Sequence, residues 1–415
     1  MTIITTFYRI KNINFTDIQN NSPKLNSYLI IALMFCIPLS TAMGSIISGL
    51  VLIFFLIHGD YKNQFNIIKS NRVAIASLLF FGLHLVGLIW TFDMEWGLHV
   101  AKKEWKFLML PIFMMYVRSE HVKYYIYAFI SAMTISEITS YGIWFELIPA
   151  FGDATIVNPT PFMTHITYNP LLAIAIYIIA SDTIFNENHS SVKKYIYWIF
   201  LFTMTANMFI TGGRSGQIML LVVIGILSFQ YFNVHFFKAT AASLIISMSV
   251  FFTAYEYSDI FHQRVDLAIE NTVNYEQNKT SSVGQRISFA INGFYIFSEN
   301  PIIGVGTGDL PMEMHKSHKV HTLEVRAPNN PHNMYIMMLV QFGLTGLLSL
   351  LWLFYVQIKH ALSNPNLTMK RLGIALPILF FVANFGESYL SVHATSLLFA
   401  ALGAVIYAPY KWKKI

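Results

Sequence analysis

The sequence predicts an all-α polytopic membrane protein, and three observations carry that prediction. Of its 415 residues 55% are hydrophobic and only 12% are charged, about half the charged share of an ordinary soluble domain. Its mean hydropathy is +0.52. Its apolar residues come in runs of roughly 15–25, long enough for a helix to cross the ~30 Å hydrocarbon layer. Such a chain is not a soluble enzyme, a disulfide-built secreted domain or a nucleic-acid-binding module, so no nucleic acid is expected among its partners. The formal charge is +6, which in a membrane chain reflects loop arrangement more than a polyanionic ligand. Cys36, the single cysteine, lies inside an apolar run and supports neither an internal disulfide nor a cysteine-built metal site.

Taken in order, residues 1–26 are polar and read as a cytoplasmic tail, without the short apolar core and small-residue cleavage site of a signal peptide. About twelve helical spans follow, at 27–42, 44–58, 73–91, 105–117, 124–147, 168–185, 195–211, 215–232, 239–255, 333–358, 372–386 and 390–408. The first two and the fourth are short, as tilted or partly re-entrant segments are. Spans one to nine occupy 27–255, residues 256–331 form a large loop, spans ten to twelve occupy 332–408, and 409–415 are a second cytoplasmic tail. With the N-terminus inside, most of the 27 Lys and Arg residues fall on the cytoplasmic side, including those of both tails. Lys102, Lys103 and Lys106 run against this bias locally.

The long loop breaks the even spacing, and a loop of that length is usually functional. Within it, Ser281 to Phe297 has helical periodicity with an aromatic face. That pattern predicts a helix lying on the membrane surface or packed on the bundle. The loop carries six basic and nine acidic residues, so it is not a generic basic patch. No long internal repeat is visible, which counts against a common transporter architecture.

Three residues are candidates for chemistry. Arg214, in TGGRSGQIML, stands in a tight turn between spans seven and eight on the outer side. An arginine so close to hydrocarbon either snorkels as an anchor or binds an anion through its planar fork. Arg286 lies on the loop helix, where a solvated face is the bland reading and a meeting with Arg214 the sharper one. His332 follows Pro331 at the start of span ten. A histidine there is either an interfacial residue at a helix N-terminus or a neutral general base. Asn333 would orient its ring or bind a sugar hydroxyl. Glu387, in the outer turn between spans eleven and twelve, and His165, before span six, lie on the same face.

Other features are weaker. His315, His318 and His321 are spaced i, i+3, i+6, but no fourth ligand is fixed and the stretch reads as a mobile loop. GxGxGD at Gly304–Asp309 lacks the strand and helix of a nucleotide fold and reads as a turn whose N–H groups lie near a phosphate at most. Glu137 and His84, at membrane depth, are expected to form interhelical hydrogen bonds.

These residues together resemble the O-antigen ligases (WaaL) of Gram-negative bacteria, within a group that includes O-antigen polymerases (Wzy-type) and protein O-oligosaccharyltransferases. The resemblance spans the whole chain: its length, its span count and its large loop between spans nine and ten. The family's H-[NSQ]-x9-G-x-x-[GTY] motif is matched by His332, Asn333, Gly343 and Gly346. Its R-x3-L motif is similar to Arg214-Ser-Gly-Gln-Ile218, with Ile in place of Leu. Arg286 sits where the family carries a second essential arginine.

The resemblance implies a GT-C-like membrane glycosyltransferase, with the large loop and the active site periplasmic, in a Gram-negative inner membrane. The implied reaction moves O-antigen polysaccharide from undecaprenyl pyrophosphate to a sugar hydroxyl of lipid A–core, without cofactor, metal or ATP. It makes His332 the general base and Arg214 and Arg286 the catalytic cations. Asn333, Gly343, Gly346, Glu387 and His165 complete a substrate-binding set, and membrane lipids surround the bundle. Two other readings share the topology. A polymerase would use the same donor to lengthen the glycan, and a polysaccharide transporter or flippase would move lipid-linked sugar without chemistry. Candidate residues gathered on one face favour an enzyme over a transporter.

Overall fold

The computed structural model describes residues 14–410. Residues 1–13 and 411–415, with the tail charges Arg9, Lys11, Lys411, Lys413 and Lys414, lie outside the described residues. Among the described residues the chain is all-helical and has no strand. The first helices are α1 (Phe15–Cys36), α2 (Thr41–His58), α3 (Tyr61–Ser70), α4 (Arg72–Val86), α5 (Met94–Lys103) and α6 (Trp105–Tyr116). Then come α7 (Val122–Trp144), α8 (His165–Phe185), α9 (Ser191–Ile210), α10 (Arg214–Phe232) and α11 (Phe236–Tyr257). The long loop holds α12 (Asp259–Val273), α13 (Ser282–Glu299) and α14 (Leu310–His321). The chain closes with α15 (Met334–Leu362), α16 (Leu367–Ala383) and α17 (His393–Tyr407).

Each of the twelve expected spans overlaps a helix, although the first, 27–42, crosses the break between α1 and α2. Among the described residues six helices are long and apolar enough to cross a membrane: α2, α4 with its 3-10 extension to Trp90, α8, α10, α11 and α15. The apolar helix α17 is shorter. The largest difference from the sequence reading lies at the start. Residues 15–26 are not a tail but the first half of α1. Asn14 and Asp17 form a capping box there. Ser22, Asn26 and Ser27 are buried, and the Ser27 hydroxyl meets His121 Nδ1 at 2.7 Å and the Tyr125 hydroxyl at 2.5 Å. This face packs through polar contacts, so hydropathy does not reveal it.

Burial separates the centre from the rim. The apolar window of α8 is 83% buried and that of α11 only 6%, so α8 is a core helix and α11 presents its apolar side outward. Helix α17 is buried almost throughout. Helix α10 packs between α8 and α11, α15 packs on α4, α13 and α16, and α17 packs on α6.

The long loop is mostly helical. Helix α13 matches the expected surface helix and packs against α15. The histidine stretch, expected as a mobile loop, is α14: Asp309 precedes it and Pro311 occupies its first turn, a start signal whose physical basis is proline's preset φ and missing N–H. His318 is buried, with Nδ1 near the Val325 carbonyl, and His321 stacks flat on Tyr295 at 3.8 Å. GxGxGD is a staple. The Asp309 carboxylate accepts the Phe92 N–H at 2.9 Å and the Asp93 N–H at 2.8 Å. The Val305 and Gly306 N–H groups donate to Val340 and Gln341.

That staple meets a break in α15. Gly343 has φ 61° and ψ −146°, a left-handed backbone that costs an L residue about 1–3 kcal/mol. The break frees the Leu344 N–H to reach Pro301 O at 2.8 Å. A Cβ on Gly343 would lie 2.6 Å from Pro301 O, and one on Gly346 would lie 2.5 Å from Met338 O. We expect Gly343→Ala to lower stability by at least that 1–3 kcal/mol, read as a lower thermal midpoint of the detergent-purified protein. An unchanged midpoint would mean the break is incidental.

Glu137 and His84 depart from the expected interhelical pairing. The His84 Nδ1 bonds Phe80 O of its own helix, and its Nε2 is unpartnered. Both carboxylate oxygens of Glu137 are buried without a well-formed hydrogen bond, with Thr203 of α9 nearby.

Candidate active site

The Arg214 turn is built by α8. Helix α9 ends at Ile210, and Thr211 Oγ1 donates to Asn169 Oδ1 at 2.7 Å. The Asn169 amide in turn donates to Gly213 O at 3.2 Å. A Cβ on Gly213 would strike Asn169 Nδ2 and lie 2.6 Å from His165 O. A Cβ on Gly212 would lie 2.7–2.9 Å from three guanidinium atoms of Arg264. The two glycines thus let the turn sit between Asn169 on one side and Arg264 of α12 on the other. Helix α10 then begins at Arg214, whose Nε is buried without a hydrogen-bond partner.

His332 is held from the opposite side. Its backbone is left-handed, with φ 53°, an unusual state for a residue other than glycine. The His332 N–H donates to Asn330 Oδ1 at 3.0 Å, and ring Nδ1 meets Glu387 Oε2 at 2.6 Å. Glu387 is itself fixed: its Oε1 accepts the Ser388 N–H at 2.9 Å and the Asn330 amide at 3.2 Å. The Ser388 hydroxyl closes the ring of contacts on Asn330 at 2.8 Å. The His332 side chain is 42% exposed and that of Glu387 only 5%, so the pair is anchored inside and open at the imidazole. A carboxylate on Nδ1 assigns the ring proton there and leaves Nε2 as the available base.

Burial works against the charge of Glu387. The His332 hydrogen bond and charge, the Ser388 N–H and the Arg286 charge outweigh it, so the carboxyl is held below its ordinary value. Its ionised form therefore stabilises the fold fully above the ordinary glutamate pKa of about 4.3, and that contribution is lost as pH falls below it. We expect Glu387→Gln to flatten the acid-side loss of stability between about pH 5 and pH 3. Melting curves across that window check this, and a slope identical to the parent's would refute it.

Arg286 joins the two halves. It lies one turn before Phe289 on α13, and Phe289 stacks on the His332 ring at 6.2 Å. Its charge reaches Glu387, Tyr389 and Arg214. Arg264 reaches Arg214 and His165. Among the described residues, none of Arg214, Arg264 and Arg286 has a carboxylate within 4.0 Å. An open groove of about 480 Å³ between α10, α11 and α12 runs from Arg214 and Arg264 along Ile218, Leu221, Phe251, Phe261 and Val265.

The structure therefore brings together Arg214, Arg286, His332, Glu387 and His165. It places the others differently. Asn333 caps α15, accepting the Tyr335 and Ile336 N–H groups at 2.9 and 3.1 Å, while its amide donates to Phe385 O. The ring orienter is Glu387, not Asn333. Gly343 and Gly346 are buried in the α15 break, where backbone packing accounts for both. Arg264, Asn169 and Asn330 were not singled out from the sequence. Asn330 had a signal, two residues before the histidine at a helix start. Arg264 and Asn169 had none, since each acts across a helix interface.

The site thus combines a carboxylate-held histidine, Arg286 within electrostatic reach of both Glu387 and Arg214, and an apolar groove lined by Arg214 and Arg264. A family model described as O-antigen ligase matches residues 199–351. That segment is similar to the O-antigen ligases, a family of glycosyltransferase-like membrane enzymes. The match contains Arg214, Arg264, Arg286 and His332, and it stops before Glu387. No curated protein is similar enough to match the chain.

Proposed function

We propose that the protein is an O-antigen ligase. It transfers polysaccharide from undecaprenyl pyrophosphate to a sugar hydroxyl of lipid A–core, on the periplasmic side of a bacterial inner membrane, with both termini cytoplasmic. The observation that carries this reading is the convergence of the His332–Glu387 pair with Arg214, Arg264 and Arg286 at one end of the bundle.

The chemistry follows from that set. The acceptor hydroxyl attacks the anomeric carbon, and His332 Nε2 takes its proton. The bond from that carbon to the diphosphate oxygen breaks, and the lipid diphosphate leaves with the electron pair. Glu387 keeps the ring oriented and stabilises the imidazolium. The arginines face the departing charge, which supplies the stabilisation a metal would otherwise bring. Direct attack inverts the anomeric carbon. The apolar groove suits the first isoprene units of the donor, leaving its phosphates at Arg214 and Arg264.

A lipopolysaccharide gel with an O-antigen blot, on a host with and without this gene, tests the reading. Loss should leave bare lipid A–core while long polymer accumulates on its lipid carrier. Core capped by a single repeat unit would instead identify a polymerase, and unchanged lipopolysaccharide would remove the proposal altogether.

A further inference from the structure

Arg264 has no part in the motifs that identify the family, yet its surroundings are those of a ligand-binding residue. Its guanidinium covers Gly212, in the turn that launches Arg214. It lines the same apolar groove as Arg214. Its charge reaches Arg214, which it repels, and His165, which it repels when that ring is protonated. The acid nearest in sequence does not relieve this: Asp266 is taken by the Tyr255 hydroxyl at 2.8 Å and His262 at 3.3 Å. Two guanidinium groups held together without an anion, one with a buried unpartnered Nε, form a place that a polyanion stabilises. Arg286 adds a third positive charge, and Glu387 cancels one. The balance is two positive charges, which suits the two negative charges of a sugar–diphosphate–lipid rather than the single one of a sugar–monophosphate–lipid.

We propose that Arg264 binds the donor's diphosphate together with Arg214 and Arg286, and thereby selects lipid-diphosphate over lipid-monophosphate donors. This rests on the transfer reading above. The alternative is a purely structural staple, in which Arg264 only braces the Gly212 turn.

The test uses the full-length protein in lipid nanodiscs. Transfer is measured against donor concentration, and binding of inorganic pyrophosphate and inorganic phosphate is measured separately by calorimetry. Arg264→Gln should raise the donor KM and the pyrophosphate dissociation constant by about 10- to 100-fold, the loss of one charged hydrogen-bonding group, with a smaller change in kcat and in phosphate binding. Should that variant fail to fold, Arg264→Lys replaces it, and weakened pyrophosphate binding in a folded protein supports the proposal. Wild-type values of KM and pyrophosphate binding in the variants overturn it, as does an equal fall in kcat with KM unmoved, which a brace alone would give. A parent protein that binds pyrophosphate through Arg264 but transfers nothing sinks the ligase reading and leaves this site standing.

Discussion

Replacing His332 with alanine lowers the rate of glycan transfer by about 10²- to 10⁴-fold, the range for loss of a general base. Donor affinity should change little, because the proposed reading assigns the imidazole to the acceptor and the arginines to the phosphates. The geometry makes the loss specific. Glu387 at 2.6 Å fixes Nδ1, Asn330 holds both the His332 backbone and the carboxylate, and Phe289 covers one face of the ring. Single-turnover transfer with labelled lipid-linked glycan separates chemistry from binding. If the variant turned over near the parent rate, His332 would be a substrate contact and another group would have to accept the proton.

Arg214→Ala should cost about 10²- to 10³-fold in kcat, the usual effect of deleting one preorganised group that meets developing negative charge. Arg214→Lys should restore little, since a point charge does not reproduce a planar fork with its Nε buried. The protein should still insert and fold, because Arg214 makes no ion pair within the described residues and its turn is held by Thr211 and Asn169. Lipopolysaccharide capping in cells, alongside membrane levels of the variant, checks both points. Full capping by the lysine variant would reduce Arg214 to a simple positive charge.

The helices were legible in the sequence because apolar runs report membrane-length segments directly, and the helix at Ser282–Glu299 was legible through its periodicity. The first half of helix α1 was not, since it packs through Ser22 and Asn26, residues that hydropathy counts as tail. Helix α14 was hidden by histidines that suggest ligands before they suggest a helix. Among the candidate site residues, Arg214, Arg286 and His332 stood out in the sequence because each sits at a helix start or on a periodic face. Glu387 was expected in the outer turn between spans eleven and twelve, but its contact with His332 was not foreseeable. A contact between residues 387 and 332 depends on how α16 returns beside α15. Arg264 lay beyond reach for the same reason, since only the docking of α12 on the Gly212 turn gives it a neighbour.

The turn between α16 and α17 carries a consequence for biosynthesis. Glu387 and Ser388 lie just ahead of α17, which is buried almost from end to end. A nascent chain therefore exposes Arg214, Arg264, Arg286 and His332 well before the carboxylate that orients the histidine has been synthesised. Under the proposed function, a chain made only as far as α15 would carry the cations but not the partner that orients the base. Synthesis of the turn ahead of the last helix would then be the step that assembles the histidine–carboxylate pair.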